Sequence, residues 1–146
     1  MVVSDLDGTL FDSDQPDYKM SPELKELIKA FQEKGGIFTI ASGRPPASCQ
    51  AVVDQLEINV PYIACNGAIV TERTGRIIYS KCFDAVPWRP FFDSVLEAGG
   101  TVLLVYEGDC FYLERTEAVA VYERKEGIVC RSAAQDLKAP QQNLPI

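Results

Sequence analysis

Three short apolar runs, each followed by a polar turn that contains glycine, constrain the fold of this chain more than any other feature. The runs are residues 1–4, 37–41 and 61–64. Unbroken apolar runs of this length are typical of strands in a parallel sheet that is covered on both faces. Helical patterns separate the runs, so the order strand, helix, strand, helix, strand predicts a right-handed α/β fold.

The first intervening helix has a recognisable start, an apolar stripe and a stop. Ser21 is a good N-cap and Pro22 suits the first helical position, whereas Gly35 and Gly36 end the pattern. The apolar residues recur at i, i+3, i+4 and i+7, and they are Leu24, Leu27, Ile28 and Phe31. We therefore expect a helix that packs through one side. A second helix is expected through residues 51–56.

The pattern changes after Asn66-Gly67. Residues 68–71 and 76–80 predict an antiparallel hairpin with Gly75 at its turn. The later segments predict a helix over residues 87–98, a hairpin made of 101–106 and 110–114, a helix over 117–125 and an extended segment over 128–130. The apolar side chains expected on the buried side of the helix over 87–98 are Trp88, Phe91, Phe92, Val95 and Leu96.

This change of pattern predicts two parts. Residues 1–83 form a partial α/β core and residues 84–146 form a partial α+β domain. We find no internal repeat. The final residues, 138–146, look like the start of a further element, and we expect the chain to be a piece of a longer protein.

Composition excludes several classes of function. A net charge of −7, from 21 acidic and 14 basic residues, argues against a nucleic-acid partner. No apolar run approaches the roughly 18–20 residues that cross a bilayer, so we expect a cytoplasmic protein without a membrane partner. The absence of histidine excludes histidine-based catalysis and histidine-ligated zinc. Five scattered cysteines predict neither a disulfide framework nor a zinc site.

Two acidic residues follow the first strand in the sequence Asp5-Leu6-Asp7-Gly8-Thr9-Leu10. Open α/β sheets bind their ligands at the carboxyl ends of the strands, which is where these carboxylates lie. Two carboxylates at i and i+2 can converge on Mg²⁺, and one of them can attack phosphorus while the other transfers protons. An ordinary Asp-Gly turn is the alternative.

These residues resemble the first signature of the haloacid dehalogenase superfamily. The resemblance implies that Asp5 is the nucleophile and that Asp7 is the general acid and base. It also implies that both bind Mg²⁺, Asp7 through its backbone carbonyl. Leu6, Gly8 and Thr9 would complete the phosphate-binding turn, in which backbone N–H groups face the phosphoryl oxygens.

Two further segments match the same superfamily. In Ser42-Gly43-Arg44, after the second strand, the resemblance implies a phosphate-binding hydroxyl on Ser42 with Gly43 and Arg44 beside it. Asn66-Gly67-Ala68, after the third strand, is similar to the Cof-type branch, and Asn66 is the residue expected at the substrate. A plain helix cap and a plain Asn-Gly turn are the respective alternatives.

The resemblance implies a partial Rossmann-like three-layer core with a parallel sheet, followed by the beginning of an inserted α+β cap of type C2. It implies an Mg²⁺-dependent phosphohydrolase that acts on a small phosphorylated metabolite, such as a sugar phosphate, a nucleotide or a cofactor phosphate. A non-catalytic binding module and a phosphomutase stay open as alternatives.

The sequence departs from the family pattern in one respect. The family's lysine and its later acidic pair normally follow the cap, and neither is present in this chain. We therefore expect the chain by itself to be weakly active or inactive, since phosphoryl transfer depends on positioning and charge neutralisation. A partial core also leaves a sheet edge uncovered, which favours a homodimer through that edge.

Overall fold

A computed structural model describes residues 1–11, 20–83, 86–106, 109–133 and 144–145. The chain divides into two compact units, Met1–Tyr79 and Ser80–Ile146. Residue 84, at which the sequence places the domain boundary, lies outside the described residues, so that boundary stays a prediction.

The first unit contains the predicted parallel strands. β1 (Val2–Ser4) pairs in parallel with β2 (Phe38–Ile40), with Ser4 opposite Ile40. β3 (Tyr62–Ala64) joins the end of β2 through a single parallel bridge between Ala41 and Ile63. The three strands therefore run in the same direction, and the α/β fold predicted from the apolar runs is confirmed.

Beyond β3 the sheet becomes mixed. A short 3₁₀ turn, Cys65–Gly67, leads into β4 (Ile69–Thr71), which pairs antiparallel with β3. β5 (Ile77–Ser80) follows beside β4 after a turn in which the Glu72 N–H donates to the Arg76 carbonyl over 3.0 Å.

The described part of the first unit also contains two helices, α1 (Pro22–Glu33) and α2 (Pro46–Gln55). The predicted cap is confirmed, because the Ser21 hydroxyl accepts the Leu24 N–H over 3.2 Å. The apolar core draws on the strands, both helices and the connecting loops; its buried members include Leu6, Ile28, Phe38, Ile40, Cys49, Val52, Val53, Leu56, Ile58, Tyr62 and Ile69. None of the helices in the described part of the chain is long and apolar enough to span a bilayer.

The prediction that α1 packs through its whole apolar stripe is wrong. Ile28 is buried, but Leu27 is 68% exposed and Phe31 lies at the surface. These side chains border an open apolar hollow of about 420 Å³ that Val2 and Phe38 also line. The stripe therefore faces this hollow rather than a covering element among the described residues.

Among its described residues, the second unit contains a three-stranded sheet and two helices. β7 (Leu103–Tyr106) pairs antiparallel with β8 (Asp109–Tyr112), which pairs in parallel with β9 (Arg131–Ser132). The short strand β6 (Cys82–Phe83) pairs antiparallel with β10 (Leu144–Pro145). The helices are α3 (Arg89–Glu97), which follows a 3₁₀ turn at Val86–Trp88, and α4 (Glu117–Glu126).

The predicted buried side of α3 is only partly correct. Phe92, Val95 and Leu96 pack against the cluster built on Val102, Leu104, Phe111 and Ala133. By contrast, Trp88 is 52% exposed and Phe91 is 58% exposed, with their rings edge to face at 6.1 Å. A short helix presents one stripe to a sheet. The three partly buried side chains occupy that stripe, which leaves Trp88 and Phe91 in solvent.

Candidate active site at the carboxyl ends of the strands

Three loops lie together where the parallel strands end. Loop 1 (residues 5–9) follows β1, loop 2 (residues 42–45) follows β2, and loop 3 (residues 65–67) follows β3. The Ala41 N–H donates to the Ser4 carbonyl over 2.9 Å, and the Ser42 N–H donates to the Ile63 carbonyl over 3.0 Å. These bonds hold the strand ends in register, so the three loops emerge at one edge of the sheet.

Loop 1 is anchored by Leu6, whose side chain is completely buried. The Leu6 carbonyl accepts the N–H groups of Thr9, Leu10 and Phe11, and Gly8 supplies the positive φ of 72° that the turn requires. Asp5, before the anchor, has an exposed side chain, and Asp7, after it, is partly exposed. Because the whole residue is buried and its carbonyl accepts three N–H groups, Leu6 anchors the turn and is not open to a ligand in this structure.

The turn also uses N–H groups that the sequence assigned to phosphate. The Gly8 N–H donates to the Phe11 carbonyl over 2.9 Å, and the Thr9 N–H donates to the Leu6 carbonyl over 3.3 Å. In this structure both groups serve the turn itself. The Thr9 side chain is exposed beside them and offers a hydroxyl.

Loops 1 and 2 are joined by an ion pair between Asp7 and Arg44. The Arg44 Nε donates to Asp7 Oδ2 over 2.8 Å, and Arg44 Nη2 donates to Asp7 Oδ1 over 2.6 Å. The side chain of Arg44 is only 4% exposed, whereas that of Asp7 is 37% exposed. Such a two-point contact fixes the orientation of a carboxylate as well as its position.

Ser42 connects loop 2 to loop 3 from a buried position. Its hydroxyl accepts the Arg44 N–H over 3.2 Å, and its carbonyl accepts the Asn66 N–H over 3.1 Å. The Arg44 carbonyl accepts the Cys65 N–H over 2.9 Å. Ser42 is not the cap of α2, because Pro45 holds that position without a side-chain cap bond. The plain helix-cap alternative is therefore wrong.

Loop 3 has an unusual backbone. Cys65, Asn66 and Gly67 have φ values of 50°, 53° and 94°, and the first two are not glycines. A Cβ built on Gly43 would lie 3.0 Å from Asn66 Oδ1, so the Asn66 amide sits directly against loop 2. Backbone in this region costs energy and is often found at ligand sites.

Cys65 lies inside this loop but is not suited to nucleophilic chemistry. Burial raises the pKa of its thiol to about 11. The group is therefore protonated near neutral pH, and a thiol is a much weaker nucleophile than a thiolate.

The oxygen donors of loop 1 suit a hard cation. Within the described ranges, no group of three or more His, Cys, Asp or Glu side chains is placed to hold a metal. Mg²⁺ does not need such a group, because it binds through one or two carboxylates and keeps waters and phosphate oxygens as its other ligands. The exposed carboxylate of Asp5 and the backbone carbonyl of Asp7 fit that donor set.

The structure thus brings together most of the residues that the sequence selected. Asp7 contacts Arg44, Ser42 contacts Arg44 and Asn66, and Gly43 lies against Asn66. Sequence reasoning placed Arg44 beside the phosphate and missed its bond to Asp7. The sequence contained one signal for this bond. Arg44 is a charged residue between a glycine and two prolines, and an arginine that is buried there needs an acidic partner.

Known proteins share sequence similarity with this chain. The family model of haloacid dehalogenase-like hydrolases matches residues 2–143. The 5-amino-6-(5-phospho-D-ribitylamino)uracil phosphatase of Bacillus subtilis is 32% identical over 95 residues, which are 65% of this chain and 32% of that protein. A Buchnera aphidicola protein with a provisional phosphatase name is 35% identical over 80 residues, which are 55% of this chain and 29% of that protein.

Solved structures show the same fold. A haloacid dehalogenase-like hydrolase from Bacteroides thetaiotaomicron superposes with a TM-score of 0.76 at 19% identity, covering 97% of this chain and 54% of that one. A Thermotoga maritima protein gives a TM-score of 0.76 at 21% identity, covering 98% of this chain and 52% of that one. The chain spans about half the length of these structures. The chain belongs to the haloacid dehalogenase-like hydrolase family.

Proposed function

We propose that this chain carries the nucleophile and the acid and base of an Mg²⁺-dependent phosphohydrolase. The observation that carries the proposal is the two-point ion pair of Arg44 with Asp7, two residues from the exposed Asp5 and at the carboxyl ends of the strands. Family membership supports it, because the matched region includes all three loops. The substrate is a small phosphorylated metabolite.

The reaction has two steps. In the first, an Asp5 carboxylate oxygen attacks phosphorus, the bond from phosphorus to the leaving-group oxygen breaks, and Asp7 gives that oxygen a proton. This step produces an aspartyl-phosphate on Asp5. In the second, Asp7 takes a proton from a water molecule that attacks phosphorus, which releases inorganic phosphate and restores the Asp5 carboxylate.

Arg44 affects the two steps differently. Its ion pair favours the ionised form of Asp7, which is the form that accepts a proton from water in the second step. For the first step, Asp7 must carry a proton on an oxygen that now faces Arg44. We infer that Asp7 releases one of its two contacts with Arg44 when it donates to the leaving group.

Mg²⁺ would be held by the Asp5 carboxylate and by the Asp7 backbone carbonyl. When bound, it neutralises charge on the phosphoryl oxygens and orients the group for in-line attack. In a chain with a net charge of −7, such a cation would help to make the site locally positive for an anionic substrate. Ser42, Asn66 and Thr9 then provide hydrogen-bonding groups around the phosphoryl oxygens.

The substrate class rests on chemistry and on one relative. The Bacillus subtilis relative is named for a phosphorylated ribitylamino-uracil, which is a phosphate ester of a polyhydroxylated metabolite. We propose a phosphate monoester of the same general size, such as a sugar phosphate, a nucleotide or a cofactor phosphate. Because the chain spans about a third of that relative, we expect its own turnover to be slow.

Phosphate release from a panel of phosphate monoesters tests the proposal. We expect release with Mg²⁺, none with a chelator, and a loss of about 100-fold or more in Asp5→Asn. Asp54→Asn is the matched control, since Asp54 is exposed on α2 and pairs only with the surface residues Arg73 and Gln50 among its described partners. Transfer to a sugar instead of water would indicate a phosphomutase, and ligand binding without turnover would indicate a binding module.

We also propose that β1 mediates self-association. Its only partner strand in the described residues is β2, and the side chains of Val2 and Val3 are exposed. An exposed apolar edge strand favours pairing with another chain. Light scattering should give a dimer for the native chain and a monomer for Val3→Lys. A native monomer over the whole accessible concentration range would refute this contact.

A further inference from the structure

Two cysteines of the second unit, which are not joined in a disulfide, lie side by side on neighbouring strands. Cys110 is in β8, and Cys130 immediately precedes β9. The parallel register pairs Phe111 with Arg131 and Tyr112 with Ser132. One residue earlier in each strand direction, Cys110 therefore lies opposite Cys130. Neighbouring strands are about 4.8 Å apart, which lies within the Cα separation of about 4.4–6.8 Å that a disulfide requires.

Both side chains point to the same face of the sheet. Cys110 and Cys130 are buried in one cluster with Val119, whereas Phe111 belongs to the cluster on the opposite face. Burial raises the pKa of the Cys130 thiol, and a hydrogen bond with the Cys110 thiol partly offsets that rise. The two thiols therefore lie within hydrogen-bonding reach of each other. Because burial keeps the Cys130 thiol mostly protonated near neutral pH, we expect its exchange with a disulfide to be faster at alkaline pH.

Both cysteines are buried, with Cys110 3% and Cys130 5% exposed, but Cys130 alone of the two borders an open hollow. The hollow has a volume of about 460 Å³, and the charged residues in its lining are Arg115, Glu123 and Arg124. The neighbouring Val129 is highly exposed. Glu123 neutralises Arg115 through contacts of 2.8 Å and 2.6 Å, so Arg124 gives the lining its net positive charge. That charge favours a small anionic reagent, such as the disulfide of a carboxylate-bearing thiol.

We propose that Cys110 and Cys130 form a redox-active pair, which a small anionic disulfide converts into an intramolecular disulfide. The Cys130 thiolate attacks one sulfur of the small disulfide, that sulfur–sulfur bond breaks, and one small thiolate leaves. The Cys110 thiolate then attacks the Cys130 sulfur, and the second small thiolate leaves. The protein loses two electrons, the small disulfide gains them, and the two protons from the cysteines end on the two small thiols.

The new bond would close a loop that contains α4. Residues 111–129 lie between the two cysteines, so the bond joins β8 to the segment entering β9 around the whole of that helix. A cross-link of this kind restricts the unfolded chain. We expect oxidation to raise the Tm of the chain by roughly 5–10 °C, and reduction to reverse the change.

The test is oxidation of the full native chain with oxidised glutathione at alkaline pH, followed by alkylation and tryptic mapping without reduction. Arg115, Arg124 and Lys125 lie between the two cysteines, so Cys110 and Cys130 fall on separate peptides. The peptide of Cys110 spans residues 82–115 and also contains Cys82, so fragmentation of the cross-linked pair must show which of the two is bonded. We expect two of the five thiols to be lost and a cross-linked peptide pair that contains Cys110 and Cys130. Native chain with all thiols intact, a glutathione adduct on Cys130 without the cross-link, or other cross-links at equal yield would each overturn the proposal.

Serine variants establish the order of the two exchanges. In Cys110→Ser the reaction should stop at one glutathione on Cys130, and in Cys130→Ser position 110 should stay unmodified. Cys49→Ser, which removes a buried thiol of the first unit, should leave the cross-link unchanged. A glutathione adduct on Cys110 in the Cys130→Ser variant would contradict attack through the hollow, and the cross-link in native protein decides the proposal even if a variant fails to fold.

Discussion

Arg44 holds both carboxylate oxygens of Asp7, with donor to acceptor distances of 2.8 Å and 2.6 Å. The two residues are 37 positions apart in the chain and belong to different loops. The contact therefore fixes loop 1 against loop 2. The Asn66 N–H donates to the Ser42 carbonyl and the Cys65 N–H donates to the Arg44 carbonyl, which extends the connection to loop 3. The candidate site is one hydrogen-bonded unit that includes a residue of each loop.

The first prediction concerns the strength of this ion pair. Asp7→Asn, Arg44→Met and the double variant form a cycle, and we expect a coupling free energy of about 1–2 kcal/mol from urea unfolding, because Arg44 is buried but Asp7 is partly in solvent. The exposed pair of Asp54 with Arg73 is the control and should couple more weakly. Equal coupling in the two pairs would show that Arg44 does not organise the site.

The second prediction distinguishes two buried serines. Ser42→Ala removes the acceptor of the Arg44 N–H, so we expect a loss of about 1 kcal/mol in the free energy of unfolding and a slower reaction with phosphate esters. Ser48 is also buried, but its hydroxyl has no hydrogen-bond partner among the described residues. Ser48→Ala should be neutral or slightly stabilising and should not change the reaction. Equal effects of the two substitutions would contradict the role of the Ser42 hydroxyl.

The third prediction uses the contact between Gly43 and Asn66. Gly43→Ala would place a Cβ 3.0 Å from Asn66 Oδ1, so the amide must move by a few tenths of an ångström. We expect the rate of phosphoryl transfer to fall by about 10-fold, because small displacements of a binding group reduce rates strongly.

The double variant that combines Gly43→Ala with Asn66→Gly is the control for this prediction. Once the Asn66 side chain is gone, the added methyl group has nothing to displace. The double variant should therefore react at the rate of Asn66→Gly alone. If the rate of the double variant instead falls by the product of the two single-variant losses, Gly43→Ala acts through another contact.

The sequence predicted the positions of the three loops because strand ends and glycine turns are encoded locally. The Ser21 cap was predictable for the same reason, since it depends on residues three positions apart. The partner of Arg44 was not predictable from the sequence. Asp7 is 37 positions away along the chain, and no local pattern indicates which acidic residue contacts Arg44 after folding.

Burial was predicted less well than secondary structure. Leu27 and Phe31 fit an apolar stripe, and Trp88 and Phe91 are large and apolar, yet all four are exposed. A periodic pattern gives the direction of a side chain on its own helix, but it does not say whether another element covers that side. That information lies in the tertiary packing.

The fourth prediction concerns the pH dependence of stability in the second unit. The hydrogen bonds from Arg115 and from the Cys130 N–H lower the pKa of Glu123 in the folded chain. A lowered pKa means that this carboxylate stabilises the fold above its unfolded value of about 4.5, and that the stabilisation is lost as the pH falls through the lower folded value.

Glu123→Gln tests this dependence directly. Near neutral pH we expect its Tm to be about 2–4 °C below that of the native chain, and in acid the two melting curves should converge. Glu114→Gln, an exposed change in the same unit, should match the native chain throughout. A difference in Tm that persists unchanged in strong acid would contradict the role of the Glu123 charge.

The most direct test of the central claim is the intact mass of the chain after incubation with Mg²⁺ and acetyl phosphate, quenched in acid. Mass detects a single transfer, so it does not depend on fast turnover. We predict a gain of one phosphoryl group, mapped to Asp5, that is absent with a chelator and in Asp5→Asn but retained in Asp54→Asn. A native chain that gains no phosphoryl group, or an adduct that survives in Asp5→Asn, would contradict a phosphoryl-transfer site at these strand ends.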